Sequence, residues 1–335
     1  MVGRENKPDR FCEKNQFGME HVKNVFVVTR FPQLINSINL QMDLNLECAC
    51  IFVTKAALPL NYDGNKENFD FLLKFFFAVE FIEDITNLYS FQGFDNLIYY
   101  SDVGHEKDCL GQLDYKQLIL IEEGLATYVD DVCESWRGRF GFWRKGLARR
   151  IGGSRLQAHL YVYKSEWLLK NSRVLSRNGS SILPFRFPYF FVIEENFRFL
   201  LDIYRCSSSW LDNVNNSRIL LVPFEDGVQN LLIPKVMDLV FGGGYECIIV
   251  KGHPAQNAFF NLDMDVRDIP VIYLPAHIPL ELAVLKLKRN CNVIDVIDYG
   301  SSSVFYASRF FRNISYVVTN KFSEKIYSIR SAGLY

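Results

Sequence analysis

A chain of 335 residues is too long for one ordinary core and suits two domains of middling size. Its composition, 49% hydrophobic and 22% charged with a mean hydropathy of +0.01, is that of a soluble globular protein able to bury two cores. A net charge of -1 excludes a partnership with nucleic acid or membrane driven by overall charge.

The first 23 residues are polar and charged and carry no apolar leader segment. Asn24–Thr29 (NVFVVT) then reads as a buried strand, Pro32–Leu44 as a helix and Cys48–Thr54 as a second strand. Glu67–Ile85 reads as one long helix with apolar faces. Within it, Phe69–Ile82 is the most apolar stretch of the chain, yet Lys74 and Glu80 interrupt it. No window reaches the roughly 18 uncharged apolar residues of a spanning helix. Asn96–Tyr100 and Gln117–Ile121 are short strands, Leu156–Leu169 a helix, Phe187–Ile193 a strand and Glu195–Tyr204 a helix.

Residues 206–217 (CSSSWLDNVNNS) are polar and rich in turn formers, which places a linker there. Alternation then resumes: strand Arg218–Val222, helix Val228–Val240 stopped by Gly242–Gly244, strands Cys247–Val250 and Val271–Leu274, helix Leu280–Lys288, strand Val293–Ile297, helix Ser301–Phe310 and strand Ile314–Val318. Short apolar strands alternating with helices specify parallel sheets covered on both faces. The expected organisation is a polar tail over 1–23, one Rossmann-like domain over 24–205, the linker, and a second Rossmann-like domain over 218–335, the two facing across a cleft. The eight cysteines are scattered and match neither a disulfide framework nor a zinc site, so they read as reduced thiols.

Ligands of such sheets sit outside the carboxyl ends of the strands, and three strand ends carry candidate chemistry. Gln117–Ile121 runs into Glu122-Glu123-Gly124. Adjacent acids on an extended chain point to opposite sides, so one can face the cleft as a general base while the other holds the loop. The pair can equally cap the next helix. Cys247–Val250 ends in Lys251-Gly252-His253-Pro254. Pro254 holds the residue before it in an extended shape, so His253 is rigidly placed, either to protonate a leaving group or to satisfy a loop carbonyl. Val293–Ile297 leads through Tyr299-Gly300 into Ser301-Ser302-Ser303, hydroxyls suited to an N-cap or to an anion.

In this order and spacing the three stretches resemble the bacterial sialyltransferases of GT-B fold, the polysialyltransferase and lipooligosaccharide sialyltransferase families. Those families carry a two-acid-glycine motif, then His-Pro, then a serine pair. Leu274-Pro275 through Pro279-Leu280-Glu281 looks like the family segment between the last two motifs, and Phe31-Pro32-Gln33 resembles its first loop. The resemblance implies Glu122 as general base, with Glu123 the second choice. It implies His253 as general acid at the CMP phosphate, Ser301, Ser302 and Ser303 as phosphate ligands, and Glu281 as the carboxylate on the ribose hydroxyls. Lys251, Gly252, Pro254, Leu274 and Pro275 would line the nucleotide. It also implies CMP-sialic acid as donor, no further cofactor, no metal and inversion at the transferred sugar. The acceptor would be a capsule or lipooligosaccharide/lipopolysaccharide glycan, lipid-linked in one form. The alternatives are a transferase for another CMP-activated nonulosonic acid or Kdo, and a nucleotide- or glycan-binding protein without turnover.

Asp263-Met264-Asp265 matches a metal-binding DxD pattern but follows the His-Pro strand, where a GT-A site would not lie. Asp226, in Glu225-Asp226-Gly227, is a second candidate base. Arg137–Arg155 holds seven basic residues interleaved with Trp136, Phe140, Phe142 and Trp143. It reads as a peripheral contact with a membrane surface, as a site for an anionic acceptor glycan or as a solvated basic helix. Basic-aromatic interleaving also suits nucleic acid, but nothing else in the chain supports that partner. The expected location is the cytoplasm, at the inner face of the cell membrane.

Overall fold

The computed structural model describes residues 22–57, 66–91, 93–100, 110, 112–122, 124–128, 159–171, 181–204, 206, 214, 218–224, 229–253, 266 and 269–334. Residues 1–21, the basic segment 137–155, Asp226, Asp263 and Asp265 lie outside them. So do Glu123, Pro254 and all of 206–217 except Cys206 and Val214.

The first sheet has seven parallel strands: β1 (Asn24–Val28), β2 (Ala49–Thr54), β3 (Ala78–Ile82), β4 (Phe94–Tyr99), β5 (Tyr115–Ile121), β6 (His159–Val162) and β7 (Ser181–Pro184). Their order is 3-2-1-4-5-6-7. The second has five parallel strands, β8 (Arg218–Phe224), β9 (Cys247–Gly252), β10 (Val271–Leu274), β11 (Val293–Asp298) and β12 (Asn313–Tyr316), ordered 10-9-8-11-12. Each sheet runs outward from its first strand and then reverses. That is the doubly wound arrangement, whose ligand crevice opens where the order reverses. The expectation of two parallel α/β units is met.

Parallel strands buried on both faces explain the unbroken apolar runs. In β8, Ile219 and Leu221 point into one core, while Leu220, Val222 and Phe224 point into another. The second of these cores is closed by Leu232, Val236 and Val240 of a helix over Gln229–Gly243. The first is closed by α-helices over Leu280–Lys288 and Ser302–Ala307, and it continues without a break into the core of the seven-stranded sheet. Leu280–Lys288 packs on Phe197–Ile203, and Ser302–Ala307 packs on Tyr189–Glu195 and on the turn Leu125–Tyr128. The two domains therefore share one apolar seam.

Three expected elements differ. Glu67–Ile85 is not one helix: a run of 3-10 turns over Lys66–Lys74 is followed by β3. Its aromatic and β-branched residues pair in register with β2, Val79 opposite Ile51, so sheet pairing overrides the helical periodicity. Leu156–Leu169 divides into β6 and a helix beginning at Ser165. Phe187–Ile193 is not a strand, since Tyr189–Glu195 is helical after Pro188. Its buried residues, Tyr189, Phe190, Val192 and Ile193, recur at helical spacing. The edge strand instead lies just upstream, at β7. A final helix, Lys321–Ile329, is begun by an Asn320–Ser323 capping box that the sequence reading did not include.

Candidate functional site

Glu122 ends β5 with its residue fully buried. Its Oε1 accepts a hydrogen bond from the Tyr306 hydroxyl at 2.7 Å. Its Oε2 accepts from the Tyr128 hydroxyl at 2.5 Å and from the Tyr163 backbone N–H at 2.8 Å. Asn36 donates to the Glu122 carbonyl at 2.8 Å, fixing the backbone beneath it. Burial pushes the carboxyl up from 4.5 to about 7, while the three donors and the nearby Lys164 oppose that rise. A carboxyl poised near neutrality has the protonation behaviour of a general base.

Behind Glu122 the chain turns at Gly124, whose φ is +125°, a region closed to ordinary side chains. Ser302 of the second domain fills the space where a Cβ would stand, and its Oγ accepts a hydrogen bond from the Leu125 backbone N–H at 3.1 Å. The acid-glycine stretch and the serine stretch, 177 positions apart in the sequence, are thus in direct contact.

A second buried carboxylate lies on the other side of the seam. Glu281 begins the helix Leu280–Lys288 and is 1% exposed. Burial raises its carboxyl, opposed by a hydrogen bond with its own backbone, by Ser303, by the charge of Lys251 and by Tyr189. The Tyr189 hydroxyl stands 3.5 Å from Glu281 Oε1. Lys251, near the end of β9, is 4% exposed and is pushed down to about 8 by burial, with Glu281 pulling the other way. Its Nζ donates to the carbonyl of Ala276 at 2.9 Å and to that of Gly252, tying the loop after β10 to the end of β9.

His253 follows β9 directly and is exposed. Leu274 ends β10, is buried, and lies opposite Lys251 in the sheet register, with Pro275 next to it. Ser301 caps the following helix, its Oγ accepting from the Val304 N–H at 3.5 Å. The Ser301 loop is held by buried Asp298, whose Oδ1 accepts from the N–H groups of Gly300 and Ser301, each at 2.9 Å.

The structure therefore gathers Glu122, Gly124, Lys251, Glu281, Ser302 and Ser303 along one interdomain seam. Gly252, His253, Leu274, Pro275 and Ser301 lie at the ends of the strands flanking it. Sequence reasoning missed Tyr128, Tyr163, Tyr189 and Tyr306, the hydroxyl and ring shell of the two carboxylates, because tyrosine at apolar spacing carries no signal of its own. Asn36 and Asn39 did carry one. They are polar residues three apart on a buried helix, Phe31–Leu44, and Asn39 bonds Phe187 and Tyr163. Among the described residues, no three His, Cys, Asp or Glu side chains group closely enough to hold a metal ion. No helix of the described residues is long and apolar enough to cross a membrane.

Two Rossmann-like domains of parallel strands joined along such a seam define the GT-B fold. Comparison with solved structures agrees. The GT-B domain (residues 113–497) of a sialyltransferase from Photobacterium damselae superposes with a TM-score of 0.51 at 13% identity, over 93% of this chain and 97% of that one. UDP-N-acetylglucosamine 2-epimerase from Rickettsia bellii superposes with a TM-score of 0.53 at 13% identity, over 86% and 76%. No family model and no curated relative matches the chain. At these identities the likeness establishes the fold.

Proposed function

We propose that this chain is a metal-independent, inverting sialyltransferase that moves sialic acid from CMP-sialic acid to a cell-surface glycan. One observation carries the reading. The acid-glycine and serine stretches meet across the seam, with Gly124 against Ser302, and Ser303 also reaches Glu281, which lies beside Lys251 of the strand that leads to His253. The likeness to a sialyltransferase of the same fold supports it.

In this reaction the acceptor oxygen forms a bond to the anomeric carbon of sialic acid as the bond from that carbon to the CMP phosphate oxygen breaks. The acceptor proton passes to Glu122, and the leaving electron pair goes to the phosphate. There His253 donates a proton, and the Ser301–Ser303 hydroxyls offer hydrogen bonds. Glu281 serves the ribose hydroxyls, while the Lys251 ties hold the β10 loop against the end of β9. A base must reach the proton it removes, and Glu122 is enclosed. Its action therefore requires the acceptor hydroxyl to approach Oε1 beside, or in place of, the Tyr306 hydroxyl. The acceptor is a capsule or lipooligosaccharide/lipopolysaccharide glycan. Segment 137–155 would make the peripheral contact with the inner face of the membrane where a lipid-linked acceptor lies.

A donor panel in EDTA tests this. CMP should be released from CMP-sialic acid when an acceptor glycan is present. Turnover of CMP-Kdo alone would transfer the reading to that sugar. Absence of transfer from every CMP-sugar would overturn the enzyme assignment. Epimerisation of UDP-N-acetylglucosamine without an acceptor would place the chain with the other neighbour of the same fold.

A further inference from the structure

The two buried carboxylates are served crosswise. Tyr306 belongs to the second domain and donates to Glu122 of the first at 2.7 Å. Tyr189 belongs to the first domain and its hydroxyl faces Glu281 of the second at 3.5 Å. The two rings stack on each other, with centroids 4.1 Å apart and planes 15° from parallel. Each domain thus lends a tyrosine to the other's carboxylate, and the stack ties the two loans together.

The Glu122 side is the stronger. Its Oε2 is held within its own domain, by Tyr128 from the turn after β5 and by the Tyr163 N–H after β6. Its Oε1 receives Tyr306 alone among these, so one oxygen of the carboxylate is governed from the opposite domain. Tyr306 also sits one helical turn from Ser302 and Ser303, the first of which contacts Leu125 and the second Glu281.

We propose that Tyr306 is a positioning residue that, from the donor-side domain, orients the Glu122 carboxylate and favours its charged form. The inference deepens the sialyltransferase reading by adding a residue that acts through the base. Its physical content is that a hydroxyl donating to a carboxylate favours the charged form. The other titratable or charged groups facing Glu122 are Tyr128 and Tyr163, which bear on it directly, and Lys164, whose charge also favours the ionised form. Tyr189 and Tyr163 face Tyr306 itself.

The test is Tyr306→Phe, which keeps the ring and its stack on Tyr189 and removes only the hydroxyl. Infrared difference titration of the carboxyl band, assigned by its loss in E122Q, reads the Glu122 midpoint without requiring turnover. Loss of a hydrogen bond to the ionised group should move that midpoint upward by about 1–2 pH units. Under the sialyltransferase reading, the acid limb of kcat/KM should rise with it while the plateau falls less. A midpoint unmoved in Y306F overturns the inference, whatever the activity. A shifted midpoint in a chain that transfers no sugar would uphold the contact and overturn the function. Should Y306F fold poorly, Tyr128→Phe provides the comparison on Oε2. A shift in Y128F with none in Tyr306→Met, which fills the site with no donor, would also overturn the inference.

Discussion

Gly124→Ala is the sharpest perturbation of the seam. The substitution adds one methyl group in a place already taken: the new Cβ would stand 2.5 Å from Ser302 Oγ and 2.8 Å from Ser302 Cβ. The Oγ could rotate away at the loss of its bond to the Leu125 N–H, but the Cβ is fixed to the helix backbone and cannot. The φ of +125° is costly for alanine independently of the clash. A backbone conformation of this kind costs about 1–3 kcal/mol, and overpacking of a tight contact about 1–3 kcal/mol. The expected loss is therefore about 2–6 kcal/mol, read as a lower urea midpoint at unchanged slope. Adding Ser302→Gly should return the steric part, a coupling of about 1–3 kcal/mol, and leave the backbone part in place. A G124A chain within about 0.5 kcal/mol of the parent would show that Gly124 and Ser302 do not touch in solution, and the interdomain site would fall with that contact.

The raised Glu122 carboxyl also makes stability depend on pH. Its folded value of about 7 exceeds the ordinary 4.5, so between these limits the folded chain binds more protons than the unfolded chain. This contribution is complete below about pH 4.5 and declines by on the order of 3 kcal/mol as pH rises through 7. Urea midpoints at about pH 5 and about pH 8 should differ in the parent and converge in E122Q, and an equal difference in both would count against the enclosure of Glu122. Asp295 of β11 accepts from Arg218, Tyr245 and Asn313 at 2.6–3.1 Å. Asp295→Ala should cost about 2–4 kcal/mol in urea denaturation by leaving these donors without their acceptor. A loss below about 1 kcal/mol would contradict that account.

The parallel architecture was legible because buried parallel strands write themselves as short apolar runs. Val271–Leu274 and the helix Leu280–Lys288 fall where the sequence places them, to the residue. The failures share a cause. In 67–85 and 187–193, aromatic residues fill successive positions, so periods of 2 and 3.6 fit almost equally well. The choice is then made by partners distant in sequence: β2 for Ala78–Ile82, and the Phe31–Leu44 helix and the seam for Tyr189–Glu195. Glu122, Lys251 and the serines were legible as strand-end residues, and the structure has them at the ends of β5, β9 and β11. The tyrosine shell was not, since Tyr128, Tyr163, Tyr189 and Tyr306 acquire their meaning only when the two sheets dock. That docking also explains why Gly124, legible in the sequence only as the last residue of the acid-acid-glycine stretch, makes an interdomain contact.

In the proposed reaction the sugar leaves the CMP phosphate beside His253. The most direct measurement is the rate of CMP release from CMP-sialic acid, in EDTA and with saturating acceptor, for the parent and for His253→Ala. His253 is exposed at the end of β9 and removing its side chain leaves the core intact, so the variant should fold normally. Metal-independent release is expected from the parent, with a fall of about 100-fold or more in H253A, the loss of a general acid. Equal rates in the two chains, or release that requires manganese, would contradict the proposed reaction.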